Sequence, residues 1–278
     1  MATKKTASTN HKATANKSAA AKTTKTTVTT APAAATGALA AHIQQSLRSV
    51  ALWRALGAEL VGTFLLAGVV IAGQGQPIFV LFALAGIVMI LGGISGAYVN
   101  PAITIGALVT RRIGWLRAIG YIIAQSLGAA LAYVVLSGFI NGADAVNAQA
   151  QAYGQAAPAL YAAVDITKLA GKEWFVFFAE LTGAAVLGLA YAYATRVVKD
   201  RVTSALTAGF GIFIALMIAV SAASYVGATA IINHAVAIAL HAYSWASVWP
   251  FAIYAIAPVV GAVLGFVVYD LLRDKTAE

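Results

Sequence analysis

The feature that most constrains this chain is a series of apolar segments, each long enough to cross a lipid bilayer. They lie at about 50–72, 77–94, 115–139, 173–196, 204–224 and 249–272. About 20 apolar residues span the hydrocarbon core as a helix. Lipid offers no hydrogen-bond partners to a bare backbone, so each segment is expected to be helical rather than an open strand. Two further apolar segments, 100–109 and 233–243, are too short to cross and fit pieces that enter and return. Composition agrees: 61% of the residues are hydrophobic and only 10% charged, against about 25% charged in soluble domains. The chain has no cysteine, hence no disulfide and no thiolate metal site, and its redox compartment stays unread.

Charge is segregated, and its placement sets the topology. The net charge is +9, yet no acidic residue precedes Glu59 and six lysines fall within the first 25 residues. That Thr/Ala/Lys stretch, residues 1–45, lacks hydrophobic periodicity and is expected to be a disordered basic N-terminal tail. It has no short apolar core followed by a cleavage site, so it does not read as a signal peptide. Nucleic acid is not the expected partner; the basic tail reads as solvated, with weak attraction to anionic head groups as the sharper alternative. Of the 18 Lys and Arg residues, 16 share one side if residues 100–109 enter and return, leaving Lys168 and Lys172 on the other. The positive-inside rule then puts both termini in the cytoplasm. Trp115, Tyr243, Trp245 and Trp249 fit anchors at head-group depth.

The two halves of the chain repeat one another. Ala58-Glu59-Leu60-Val61-Gly62 matches Ala179-Glu180-Leu181-Thr182-Gly183 at an offset of 121. Asn100-Pro101-Ala102 matches Asn233-His234-Ala235 at 133, and Gln125-Ser126-Leu127-Gly128 matches Pro258-Val259-Val260-Gly261 at the same 133. A 12-residue insertion therefore lies between Glu180 and Asn233. With three spans per half, the repeats, about 50–140 and about 172–272 within a channel domain at 46–278, are inverted in the membrane. Such repeats put the functional site near the midplane, where broken helices meet.

Asn100-Pro101-Ala102 reads as a helix start, with Asn as N-cap and Pro at the first helical position. Two half-helices meeting N-terminus to N-terminus would focus positive potential at the bilayer centre, repelling cations and orienting neutral dipoles. The amides of Asn100 and Asn233 are candidate donors to a passing oxygen; a capping role alone is the blander reading, and the two are compatible.

The stretch Ser95-Gly96-Ala97-Tyr98-Val99-Asn100-Pro101-Ala102-Ile103-Thr104 resembles the first signature of the major intrinsic protein family, the aquaporins and aquaglyceroporins. The paired Glu59 and Glu180 starts and the segment at Gln125 extend the resemblance over about residues 50–272. It implies an all-α, aquaporin-like bundle of six transmembrane helices plus two re-entrant half-helices, built as an inverted repeat. It also implies one pore per subunit, a homotetramer, a plasma-membrane location, no cofactor, and water or a small neutral solute such as glycerol as the permeant. The matching glutamates of the family accept hydrogen bonds from the re-entrant loops, which casts Glu59 and Glu180 as structural supports, with a proton relay as the sharp alternative. Gln125 would support the same loops, and Gly62, Gly183, Gly128 and Gly261 would allow close helix approach.

The chain departs from the family pattern in its second half. The second box carries His234 where proline is usual, Val236 follows where an arginine is usual, and Ala237 stands where aquaglyceroporins carry aspartate. Counting from the two asparagines places Val80, Ser221 and Ala230 at the remaining constriction positions. Loss of a guanidinium and an aromatic is expected to widen the constriction and make it less polar, admitting somewhat larger neutral solutes; a hydrophobic constriction that dewets is the alternative. His234 reads as a tolerated first-turn substitution, with a titrating gate as the sharper reading, although a cation beside two helix N-termini is disfavoured. His241 lies seven residues on, and two histidines without cysteine do not make a metal site. Three other classes compete: a coupled secondary transporter, a non-conducting structural membrane protein, and a membrane enzyme. The enzyme reading finds no nucleophile triad, no metal-binding H-E-x-x-H and no phosphate loop.

Overall fold

The computed structural model describes residues 33–142 and 159–273. These residues form helices α1 (Ala33–Leu47), α2 (Val50–Ala72), α3 (Pro77–Leu91), α4 (Pro101–Val109) and α5 (Trp115–Asn141). After the connection to the second repeat come α6 (Glu173–Ala194), α7 (Arg201–Ser224), α8 (His234–Ala239) and a composite α9 over Trp249–Leu272. No strand occurs among the described residues. Five helices have the length and apolar character of a span, and a shorter apolar helix, Pro77–Leu91, completes the set of six. Helix α3 falls three residues short of the expected 77–94 because Gly92 and Gly93 follow it as a turn. The expectation of disorder through residue 45 is also corrected, since Ala33–Leu47 is helical. The rest of the tail, residues 1–32, lies outside the described residues.

Local chemistry marks the helix ends. Ser49 caps α2 by accepting from Leu52 N–H, Asp200 caps α7 by accepting from Thr203 N–H at 3.0 Å, and Pro77 opens α3 without needing a donor. Inside the bundle the pairing is symmetric. Helix α2 packs on α5 and α6 packs on α9, while α3 meets α7 across the repeats. The half-helices are exchanged: α4 lies against α9 of the second repeat, and α8 against α5 of the first. A glycine enables each α2–α5 and α6–α9 crossing. A Cβ on Gly128 would meet the Leu60 carbonyl oxygen, and one on Gly261 the Leu181 carbonyl oxygen. The two contacts are the same contact, once per repeat.

Helix α9 breaks the symmetry. Residues Ala252–Ile256 form a π-turn, in which the Ala257 N–H reaches back to the Ala252 carbonyl. Pro258, which stands where the first repeat has Gln125, has no N–H to give the Tyr254 carbonyl four residues earlier. The Tyr243 hydroxyl donates to that carbonyl instead, at 3.0 Å. This substitution of donors accounts for the local widening of the helix.

Candidate pore

The site is built where the two short helices begin. Asn100 and Asn233 are their N-caps: Asn100 Oδ1 accepts from Ala102 N–H at 2.9 Å, and Asn233 Oδ1 accepts from Ala235 N–H at 3.0 Å. Pro101 and His234 occupy the first helical positions, and Ala102 and Ala235 are fully buried behind them. Each asparagine also reaches across the pseudo-twofold. Asn100 Nδ2 donates to the Ile232 carbonyl and Asn233 Nδ2 donates to the Val99 carbonyl, both at 2.9 Å. A side-chain amide carries two hydrogens. One is used in the cross-link, which leaves the second on each asparagine outside that bond.

The residues before the caps are held in a conformation they do not favour. Val99 (φ 43°) and Ile232 (φ 48°) are β-branched yet left-handed, which costs about 1–3 kcal/mol each. Buried carboxylates hold them there. Glu59 accepts from Tyr98 N–H at 3.0 Å and Val99 N–H at 2.7 Å, and Glu180 accepts from Ile231 and from Ile232 N–H, the latter at 2.8 Å. Gln125 adds a bond to Glu59 at 2.7 Å and one to Thr104 at 2.9 Å, tying the first carboxylate to the half-helix. The second repeat has no such tie, because Pro258 replaces the glutamine. Gly62 and Gly183 leave room for the strained side chains: a Cβ on Gly62 would lie 2.7 Å from Val99 Cγ1, and one on Gly183 would lie 2.9 Å from Ile232 Cγ2.

Two tyrosines complete the support. Tyr121 donates to the Ser95 carbonyl at 2.8 Å, and Tyr254 donates to the Thr229 carbonyl at 2.9 Å. Their separation is again 133 residues, so the repeat alignment contained this pair although motif reading passed over it. Tyr191 donates to the Ala97 carbonyl at 2.9 Å and has no such partner in the repeat. At the end of α4, Arg112 bonds the Ala192 carbonyl at 2.6 Å and pairs with Asp270 at 2.7 Å, fastening the half-helix to α6 and α9.

A cavity of about 30 Å³ lies on one side of the asparagines. Val80, Ala230, Val236 and Asn233 line it, together with Leu66 and Leu216. Ser221 is not among its lining residues; it is exposed, and its carbonyl accepts from Ser224 at 2.7 Å. Counting back from Asn233 missed the wall because Tyr225–Gly227 form an extra turn after α7, inside the stretch that carries the 12-residue insertion. Leu216, five residues earlier, faces the cavity instead. Aliphatic side chains and Tyr161, a residue that no motif marked, line this cavity together with Val236. A second cavity, about 10 Å³, lies beyond the first loop and is lined by Val88, Gly96, Tyr191 and Arg201, among others. His234 lines neither of these two cavities. Its Nδ1 pairs with the Tyr243 hydroxyl, and His241 packs its ring on Tyr133 at 4.1 Å.

The two exchanged half-helices, each capped by an asparagine and backed by a buried glutamate, lie within a stretch that matches a known family. Residues 46–269 match the sequence profile of the family described as "Major intrinsic protein". The chain belongs to the major intrinsic protein family. It is 32% identical over 241 residues to the lens fiber major intrinsic protein of Ovis aries, covering 81% of this chain and 83% of that protein. The Homo sapiens protein of the same description is 31% identical over the same coverage. Among solved structures, the aquaglyceroporin from Plasmodium falciparum superposes with a TM-score of 0.57 at 20% identity, covering 80% of this chain and 96% of that one. That likeness concerns the fold. This major intrinsic protein is thus a multi-pass membrane channel for water or small solutes, and its helices and half-helices are arranged as in the aquaporin fold.

Proposed function

We propose that this protein is a passive channel that conducts water and small uncharged solutes while excluding ions and protons. The observation that carries the reading is the asparagine pair: each side chain spends one amide hydrogen on the opposite loop, and the reading gives the other to the lumen. A molecule passing the pair accepts from both asparagines in turn. The positive ends of the half-helices disfavour a cation there and orient a neutral dipole. The selectivity set is Asn100, Pro101, Ala102, Asn233, His234 and Ala235 at the crossing, with Val80, Ala230 and Val236 beyond it. Leu216 takes the place first given to Ser221. Glu59, Glu180, Gln125 and the four glycines support the loops and do not conduct protons, since the contacts recorded for both carboxylates are with hydrogen-bond donors.

The channel acts as a homotetramer in the plasma membrane, with both termini cytoplasmic, as the charge asymmetry supports. The aliphatic lining favours one competing reading, a constriction that dewets and stays shut. Stopped-flow light scattering on proteoliposomes separates the two. An impermeant osmolyte should shrink them much faster than empty vesicles. Equal rates would leave the dewetted, non-conducting reading standing.

A further inference from the structure

Among the residues lining the 30 Å³ cavity, only Asn233 and Tyr161 carry a polar side chain. Asn233 belongs to the central crossing. Every other side chain on the wall is aliphatic or absent, so among the described residues Tyr161 is the one side-chain hydrogen-bonding group lining this cavity besides Asn233.

The tyrosine is held in place. It sits in the connection between the repeats, which is pinned by Ala163 N–H to the Leu240 carbonyl at 3.0 Å and by Val164 N–H to Thr229 Oγ1 at 3.1 Å. Ile166, a few residues on, is buried to 1% exposure and anchors the strap. The ring lies directly on Gly75: a Cβ there would be 2.7 Å from the hydroxyl oxygen and 2.8 Å from the ring. Gly75 is left-handed (φ 68°), so backbone and contact both call for glycine at that position.

The hydroxyl has a neighbour that fixes it further. It is hydrogen-bonded with Thr229, whose oxygen also accepts from Val164. A phenol hydroxyl can both donate and accept, so that bond leaves it capacity for a second partner at the cavity. Burial raises the Tyr161 hydroxyl above the ordinary phenol value, against a smaller opposing effect of Thr229, so the donor stays protonated at neutral pH.

We propose that Tyr161 is the selectivity-determining residue of the outer constriction: its ring limits passage to water-sized neutral molecules, and its hydroxyl supplies the hydrogen bond that Val236 cannot. The space it leaves fits this class. A single water needs about 10–15 Å³ of such volume, so 30 Å³ holds one or two waters in file and no three-carbon polyol. The inference rests on the channel reading and names which permeants that channel admits.

The test compares wild type, Tyr161→Phe and Tyr161→Ala in proteoliposomes, measuring shrinkage with an impermeant osmolyte and swelling in glycerol. Tyr161→Ala should raise the glycerol-to-water permeability ratio by at least about tenfold, the effect of a barrier lowered by 1.4 kcal/mol. Tyr161→Phe keeps the ring and should keep the low ratio, with slower water passage from the lost donor. If alanine does not assemble, Tyr161→Leu empties the outer part of the ring's space and should shift the ratio the same way. An unchanged ratio in the alanine or leucine variant, with water conduction intact, overturns the role of Tyr161 and leaves the channel standing. Absence of water conduction in every variant overturns the channel reading itself, and the role of Tyr161 with it.

Discussion

Replacing Tyr243 by phenylalanine tests whether one hydroxyl holds together the eroded half of the repeat. That hydroxyl has two partners: it meets His234 Nδ1 and donates to the Tyr254 carbonyl at 3.0 Å. Helix α9 cannot satisfy that carbonyl itself, because Pro258 lacks the N–H. Phenylalanine keeps the ring and removes only the bonds. A buried polar group left without a partner costs about 1–3 kcal/mol, so orphaning the carbonyl and the imidazole nitrogen together should cost on the order of 2–5 kcal/mol. For a protein of this size each kcal/mol lowers Tm by about 2–4 °C. The melting temperature, followed by tryptophan fluorescence in detergent, should therefore fall by roughly 4–20 °C, taking the two estimates together. His234→Pro offers the control. It restores a residue favoured at the first helical position and removes the imidazole. In that background Tyr243→Phe should cost about half as much, since the carbonyl alone is orphaned. A Tm change below about 2 °C for Tyr243→Phe, smaller than a single lost kcal/mol would give, or an equal change with and without His234, would refute the reasoning.

Other perturbations follow from the same geometry. Glu59→Gln turns an amide toward donors and should destabilise by about 1–3 kcal/mol, read as a lower Tm and slower water passage as the Val99 loop relaxes. Gly128→Ala and Gly261→Ala each push a Cβ against a carbonyl of the facing helix, and each should lower Tm by an amount matching about 1–3 kcal/mol. Val236→Arg should block water in the shrinkage assay rather than sharpen selectivity, because Tyr161 and the aliphatic wall leave no room for a guanidinium. Asp200 is held below the usual carboxylate value, mainly by the Thr203 hydroxyl and N–H. Its capping contribution is therefore present at neutral pH and is lost as pH falls through that lowered value. Wild type should unfold at higher temperature than Asp200→Ala at pH 7, and the gap should close in strong acid.

Much of the fold was legible because lipid imposes strong rules. An apolar stretch in a bilayer has to be a helix, and α2 occupies the very residues, Val50–Ala72, that hydropathy marks. The asparagine caps and the repeat located the half-helices, and the paired glutamates pointed to the loops they hold. Ser221 was misplaced because counting from a motif fails across an insertion. The ends of α1 and α3 were missed because a tail without periodicity and a Gly-Gly stop say little at single-residue precision. Tyr161 could not be found by motif or repeat: it reaches Gly75 across 86 residues of sequence from a connection with no counterpart in the other half. Tyr121 and Tyr254, in contrast, were readable from the offset of 133 alone.

Neutral conduction past the asparagine pair without ions is the property on which the proposed channel depends. Proteoliposomes carrying an internal pH dye should be shrunk with an impermeant osmolyte under an imposed proton gradient, with volume and pH followed together. The account predicts shrinkage well above that of empty vesicles and a proton leak no greater than theirs. Shrinkage equal to that of empty vesicles, or fast collapse of the pH gradient, would contradict it.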